Sequence, residues 1–153
     1  MQSLLAPVRA LSDMIARVPS SLVQLVLRIA LAVPFWNSGV LKWESFPMKI
    51  NETAVYLFAE EFKLHLPWGQ VGFPFPEVTA HLVALAEVGF PVLLVAGLLT
   101  RFAGLGVLVM SLVIQLTVPE GWPVHLTWAA MALAIMAHGA GNISLDRLLG
   151  IGR

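Results

Sequence analysis

Seven residues of the 153-residue chain could do chemistry from within or beside long apolar stretches: Arg28, Asn37, Lys42, Glu87, Gln115, His125 and Trp128. A charged side chain at the centre of a bilayer costs about 2.5–3.5 kcal/mol on insertion scales, so Arg28 and Glu87 each need a reason to be there. At 1.5 Å per residue, Glu87 falls roughly 15 Å below one end of its stretch and Arg28 roughly 9 Å above the opposite end of its own, depths that differ by about 6 Å. An Arg28–Glu87 ion pair would lower both costs. The alternative is an Arg28 that snorkels to the headgroups beside a protonated Glu87. Pro91 leaves the Glu87 carbonyl without its helical donor, and Pro34 does the same to Ala30. Breaks beside ionisable residues suggest a polar pocket, although a kink alone would account for each proline.

On a helical wheel Arg28, Gly39 and Lys42 share one face; so do Gly104, Leu108, Ser111 and Gln115, and so do His125, Trp128, Ala129 and Ala132. Small residues allow close helix approach, so these faces are expected to point inward. Lys42, Gln115, His125 and Trp128 would then surround a cavity above Glu87, joined by Asn37 only if Pro34 alters the local twist. A quinone, with two carbonyl oxygens on an apolar ring, suits donors of this kind beside aromatic surface, and a carboxylate can carry the protons of its reduction. In this reading Glu87 handles protons, Arg28 sets the charge of Glu87, and the other five bind the headgroup. The plainer alternative is interhelical hydrogen bonding, worth about 0.6 kcal/mol per bond. His65, His81, His125 and His138 occur at no ligand spacing, so no metal site is expected.

The elements that must hold these residues follow from composition. Hydrophobic residues make up 58% and charged residues 12% of the chain, with mean hydropathy +0.84. Soluble domains carry about 45–50% and 25%. An all-α integral membrane bundle in a single domain is the economical reading. Net charge is zero, which argues against nucleic acid as a partner, and the absence of cysteine excludes disulfides and thiolate sites within the chain. Four spans are expected, at about residues 22–42, 76–99, 102–118 and 122–139, each near the roughly 20 residues that cross a bilayer. Pro76 and Pro123 read as helix starts and Pro119 as a stop. Trp43, Trp68 and Trp122 fall at one set of ends, as interfacial aromatics do. Arg9, Arg17, Arg101, Arg147 and Arg153 all fall at the other, which predicts both termini in the cytoplasm.

The stripe Leu4, Leu5, Val8, Leu11, Ile15 and Val18 predicts an N-terminal helix lying in the interface. Asn51 reads as the N-cap of an amphipathic helix over Glu52–Lys63, with Val55, Phe58 and Phe62 on one face. Residues His65–Pro76, rich in Pro, Gly and aromatics, are expected to form an irregular lip.

Three segments carry a family resemblance. Arg28-Ile29-Ala30-Leu31 with Asn37-Ser38-Gly39-Val40-Leu41-Lys42 gives an R…G…K pattern. Ala86-Glu87-Val88-Gly89 with Gly97-Leu98-Leu99-Thr100-Arg101 gives A-E-x-G…G-L-x-T-R, and Ile143-Ser144-Leu145-Asp146-Arg147-Leu148-Leu149 closes the chain. In this order they resemble the DoxX family of small four-helix membrane proteins. The resemblance implies a multi-pass protein of the bacterial cytoplasmic (inner) membrane, linked loosely to redox biology, since relatives include the membrane subunit of a thiosulfate:quinone oxidoreductase. It marks Arg28, Gly39, Lys42, Glu87 and Arg101, the last expected to be an inner-leaflet anchor.

Together these readings predict a membrane subunit or accessory protein of a quinone-linked redox complex, with a soluble redox or periplasmic partner and with homo-oligomers allowed. Two alternatives stay open: a carrier for a small solute or metal, suggested by the broken helices, and a non-catalytic scaffold that recruits a periplasmic partner through the acidic outer loop.

Overall fold

A computed structural model describes residues 6–151. Leu4, Leu5 and Arg153 lie outside them. Helix α1 (Ala6–Ile15) leads through a short turn into α2 (Ser20–Val40). Strands β1 (Trp43–Ser45) and β2 (Lys49–Ile50), helix α3 (Glu52–Tyr56), a π-helical turn (Leu57–Glu61) and strands β3 (Lys63–Leu66) and β4 (Gly69–Gly72) form the long loop. Helices α4 (Pro76–Ala96), α5 (Thr100–Thr117), α6 (Trp122–His138) and the short α7 (Leu145–Leu148) complete the chain.

The four long helices pack as antiparallel pairs, α2 with α4 and α5 with α6, and close through α4–α5 and α2–α6 contacts. Leu31, Ala32, Phe35, Leu94, Ala103, Val107, Ala132 and Ile135 form the core. The polarity is the reverse of a soluble bundle. Val26, Val33, Leu82, Val92, Leu112, Leu126 and Leu133 are exposed, whereas Gln24, Arg28, Glu87, Ser111 and His125 are buried. Such a surface costs little only against hydrocarbon, where polar groups must find partners inside. Helices α2, α4 and α5 are long and apolar enough to cross a membrane. The 17 residues of α6 cover about 25 Å at 1.5 Å per residue.

Pro76 and Pro123 sit in the first turns of α4 and α6, where their missing N–H has no partner to lose. Pro34 and Pro91 lie inside α2 and α4. Helix α1 lies at the surface, with Val8, Leu11, Ile15 and Val18 all exposed.

The loop differs from its sequence expectation. Asn51 does cap α3, accepting a hydrogen bond from the Ala54 amide at 2.7 Å. The helix then widens into the π-helical turn and stops at Glu61, before Lys63. Residues 63–72 are not irregular but form an antiparallel hairpin, in the register Lys63 with Gly72 through Leu66 with Gly69. Periodicity missed it because the strands are four residues long and one is mostly Gly and Gln. Ile50, Ala54 and Phe58 pack on Ala80 and Ala84 of α4 in a second small core. On the surface Lys49 pairs with Glu44 at 2.8 Å, and that hydrogen bond, with the Glu44 charge, raises the lysine pKa above its ordinary value.

Candidate functional site

Helix α2 ends in Ser38-Gly39-Val40, followed at one turn's spacing from Ser38 by Lys42. Residues four apart face each other on a helix, and Lys42 Nζ donates to Ser38 Oγ at 2.8 Å. The same ammonium forms a hydrogen-bonded ion pair with Glu87 Oε2, while Ser38 Oγ donates to Glu87 Oε1 at 3.2 Å. Gly39 makes this triangle possible: a Cβ there would stand 2.9 Å from the Glu87 main-chain carbon, so only glycine lets α2 and α4 approach this closely. The Lys42 and Glu87 side chains are 15% and 5% exposed. Among the described residues theirs is the ion pair within the protein; the Lys49–Glu44 pair is open to solvent.

Beside this pair lies a cavity of about 220 Å³. Pro34, Phe35 and Trp128 wall it from within the bundle, and Val113, Ile114 and Thr117 come from α5. The long loop contributes Phe58, Phe62 and Phe73. Phe58 meets Phe62 edge-on at 5.2 Å and Phe73 at 5.3 Å, while Phe35 and Trp128 pack with tilted rings 5.0 Å apart. The Glu87 carboxylate, the Lys42 ammonium and the Ser38 hydroxyl thus border a mostly apolar, aromatic chamber, in which the Thr117 hydroxyl is engaged with the Val113 carbonyl at 2.9 Å. That composition suits a planar ligand with a polar edge.

The candidate residues separate into four places. Lys42, Glu87 and Trp128 share the cavity. Gln115 and His125 do not join them: His125 Nδ1 lies 2.9 Å from Gln115 Oε1, and Gln115 Nε2 donates to the Pro119 carbonyl at 3.0 Å. They line a different groove, of about 540 Å³, between α5 and α6. Trp128 stands between the two places, its ring 5.2 Å from that of His125. Asn37 is exposed on the outer surface of α2 near Trp36, because Pro34 does not turn it inward.

Arg28 requires the largest correction, because it does not pair with Glu87. Gly39 is level with Glu87 and the Arg28 head with the Leu94 carbonyl, so along α4 the two charges are seven residues apart, or roughly 10 Å. The depth estimate placed the ends of α2 and α4 at equal height. In fact α4 begins 11 residues before Glu87 and projects beyond α2 into the loop. Arg28, fully buried, donates to the carbonyls of Leu94 at 3.1 Å and Val95 at 3.5 Å and to Ile143. It closes the C-terminus of α4, where the Leu94 carbonyl otherwise meets only the Gly97 amide at 3.1 Å.

The other resemblance segments converge on the same end. Asp146 accepts the amides of Leu99 at 2.7 Å and Thr100 at 2.9 Å, and so caps α5. Its own amide donates to Gly97 at 2.8 Å. Leu99 has φ +48°, a left-handed conformation costly for leucine, which the Asp146 bonds hold in place. Gly97 has φ +67°, and a Cβ there would strike Arg28 and Ser144. Ser144 caps α7 by accepting the Arg147 amide at 3.2 Å.

Ser38, Phe73 and the inward turn of Phe58 and Phe62 are not among the features expected from the sequence to line a cavity. The Ser38–Lys42 spacing was the available signal for the first. For Phe73 there was none, since it follows directly on the last strand of a hairpin invisible to periodicity.

A family model described as DoxX matches residues 23–120. The chain belongs to the DoxX family. Its members are small integral membrane proteins, so the exposed apolar belt faces lipid. An uncharacterized protein of Haemophilus influenzae is 29% identical over 140 residues, covering 82% of this chain and 82% of that protein. No solved structure matches. The DoxX match contains Arg28, Gly39, Lys42, Glu87 and Gln115 and ends before α6. Trp128, His125 and the closing Ser144–Arg147 segment lie beyond the matched residues.

Proposed function

We propose that this DoxX protein is a quinone-linked membrane component of a redox assembly in the bacterial inner membrane, and that the cavity beside Lys42 and Glu87 takes the quinone headgroup. The observation that carries this reading is the Lys42–Glu87–Ser38 triangle on the wall of an aromatic chamber. At about 220 Å³ the chamber is smaller than the roughly 300–1,000 Å³ of drug-sized pockets, a size for one ring system and not for a whole lipid-tailed molecule.

When bound, a quinone accepts two electrons and two protons; a redox protein of the assembly supplies the electrons. The chain's own residues bind and move protons. Lys42 makes two good hydrogen bonds, and its third N–H meets the Ser38 carbonyl only at 3.4 Å. That donor is the one a headgroup carbonyl can recruit at least cost. Phe35, Phe58 and Trp128 would wall the ring and keep water from it, which would strengthen each polar contact. Glu87, held by Lys42 and Ser38, is placed to receive a proton and pass it to an oxygen at the same wall. Arg28 takes no part.

The chain should be purified in mild detergent from its native membrane and extracted for quinone, which mass spectrometry then quantifies. Wild type is expected to carry stoichiometric quinone, Lys42→Ala and Glu87→Gln to lose it, and His125→Ala, in the separate groove, to keep it. Absence of quinone from wild type, or retention by both Lys42→Ala and Glu87→Gln, overturns the assignment.

A further inference from the structure

The opposite end of the bundle holds a second cavity, of about 360 Å³, between the start of α5 and the chain that follows α6. Arg101 and Arg147 line it and are exposed, and among the described residues neither side chain makes a hydrogen bond or ion pair. The Arg101 head lies beside Gly139, where a Cβ would stand in ordinary contact at 3.4 Å from Nε and 3.6 Å from Nη2. The acid in the lining, Asp146, has both oxygens engaged by the Leu99 and Thr100 amides. Thr100 also lines the cavity, is 1% exposed, and its hydroxyl oxygen has no partner. A buried hydroxyl without a partner is costly, and hydroxyls and guanidinium forks both suit phosphate oxygens.

His138, Asn142 and Ser144 add polar groups to the lining, and Leu99, Phe102 and Ile151 give it an apolar side. Phe102 lines it and is 61% exposed, on the first turn of a helix long and apolar enough to cross a membrane. A free anion has no use for such a wall; an acyl chain does. We infer that this cavity is a binding site for the phosphate of an anionic phospholipid, with Arg101 and Arg147 on the headgroup and Phe102 along the upper acyl chain. The site owes nothing to the quinone reading and stands if that reading fails.

The test uses the full chain in mild detergent, with phosphatidylglycerol, phosphatidylcholine and inorganic phosphate as probes and native mass spectrometry as the readout. Wild type should retain phosphatidylglycerol and not phosphatidylcholine, and inorganic phosphate should not displace it. Arg101→Gln and Arg147→Gln should each weaken retention about tenfold, the equivalent of about 1.4 kcal/mol. Both arginines are exposed, so unchanged melting without lipid is expected to show the variants folded. As a measurement on wild type alone, phosphatidylglycerol with a photoreactive headgroup should crosslink to residues 99–102 and 138–147. Equal retention of phosphatidylcholine, displacement by inorganic phosphate, undiminished retention by the double variant, or crosslinks elsewhere would overturn the inference.

Discussion

Lys42 and Glu87 illustrate how a buried charge survives in an apolar bundle. Each is held by the other and by Ser38, and neither has a partner to spare. Taking one charge away strands the other in a mostly buried, apolar setting, which costs about 3–5 kcal/mol. Replacing both with apolar residues removes the desolvation penalty together with the attraction. Lys42→Met should therefore destabilise the protein by about 3–5 kcal/mol, and Lys42→Met with Glu87→Leu should recover most of the loss. Reversible unfolding in mixed detergent micelles would measure it; a double variant as unstable as the single would mean the pair does not act as a unit. Arg28 is a different kind of buried charge. Its bonds go to three carbonyls from two segments, so it joins elements and faces no cavity identified here as a ligand site.

At the scale of elements, glycines separate close backbone contacts from looser ones. Gly39 faces the main chain of Glu87, which cannot move away, whereas a Cβ at Gly106 would meet the ring of Phe90, a half-buried side chain that can turn. Gly39→Ala should cost about 1–3 kcal/mol as overpacking does, and Gly106→Ala clearly less. Equal losses in the same unfolding assay would show that α2 and α4 can slide to relieve the clash. Asp146 tests the other end. Removing both cap acceptors with Asp146→Ala should cost about 1–2 kcal/mol and release the left-handed Leu99, seen as faster amide exchange at the start of α5.

Across the whole molecule the two ends have different tasks: the loop end builds the aromatic chamber and the arginine end ties the helices and presents cations to the membrane surface. The distribution of arginines predicts that the arginine end faces the cytoplasm. The chain has no cysteine, so single cysteines report sidedness without background. Trp68→Cys, on the exposed hairpin turn, should react with an impermeant maleimide on intact cells, and Asn142→Cys only after the membrane is opened; the reverse pattern would invert the orientation. Much of this architecture was legible in the residues. Apolar runs of membrane length and punctuating prolines marked the helices because hydrocarbon leaves the backbone few alternatives. The family segments were legible too, as were the inward faces of Lys42 and Glu87. Which charge met which was not, because pairing depends on the axial offset of α2 against α4. That offset is set by Gly39 against Glu87 and by the Ala80 and Ala84 contacts with the loop. A helical wheel gives a residue's direction but not its height. Tertiary packing fixes height, and so it gave Glu87 to Lys42, Arg28 to the end of α4, and His125 to Gln115.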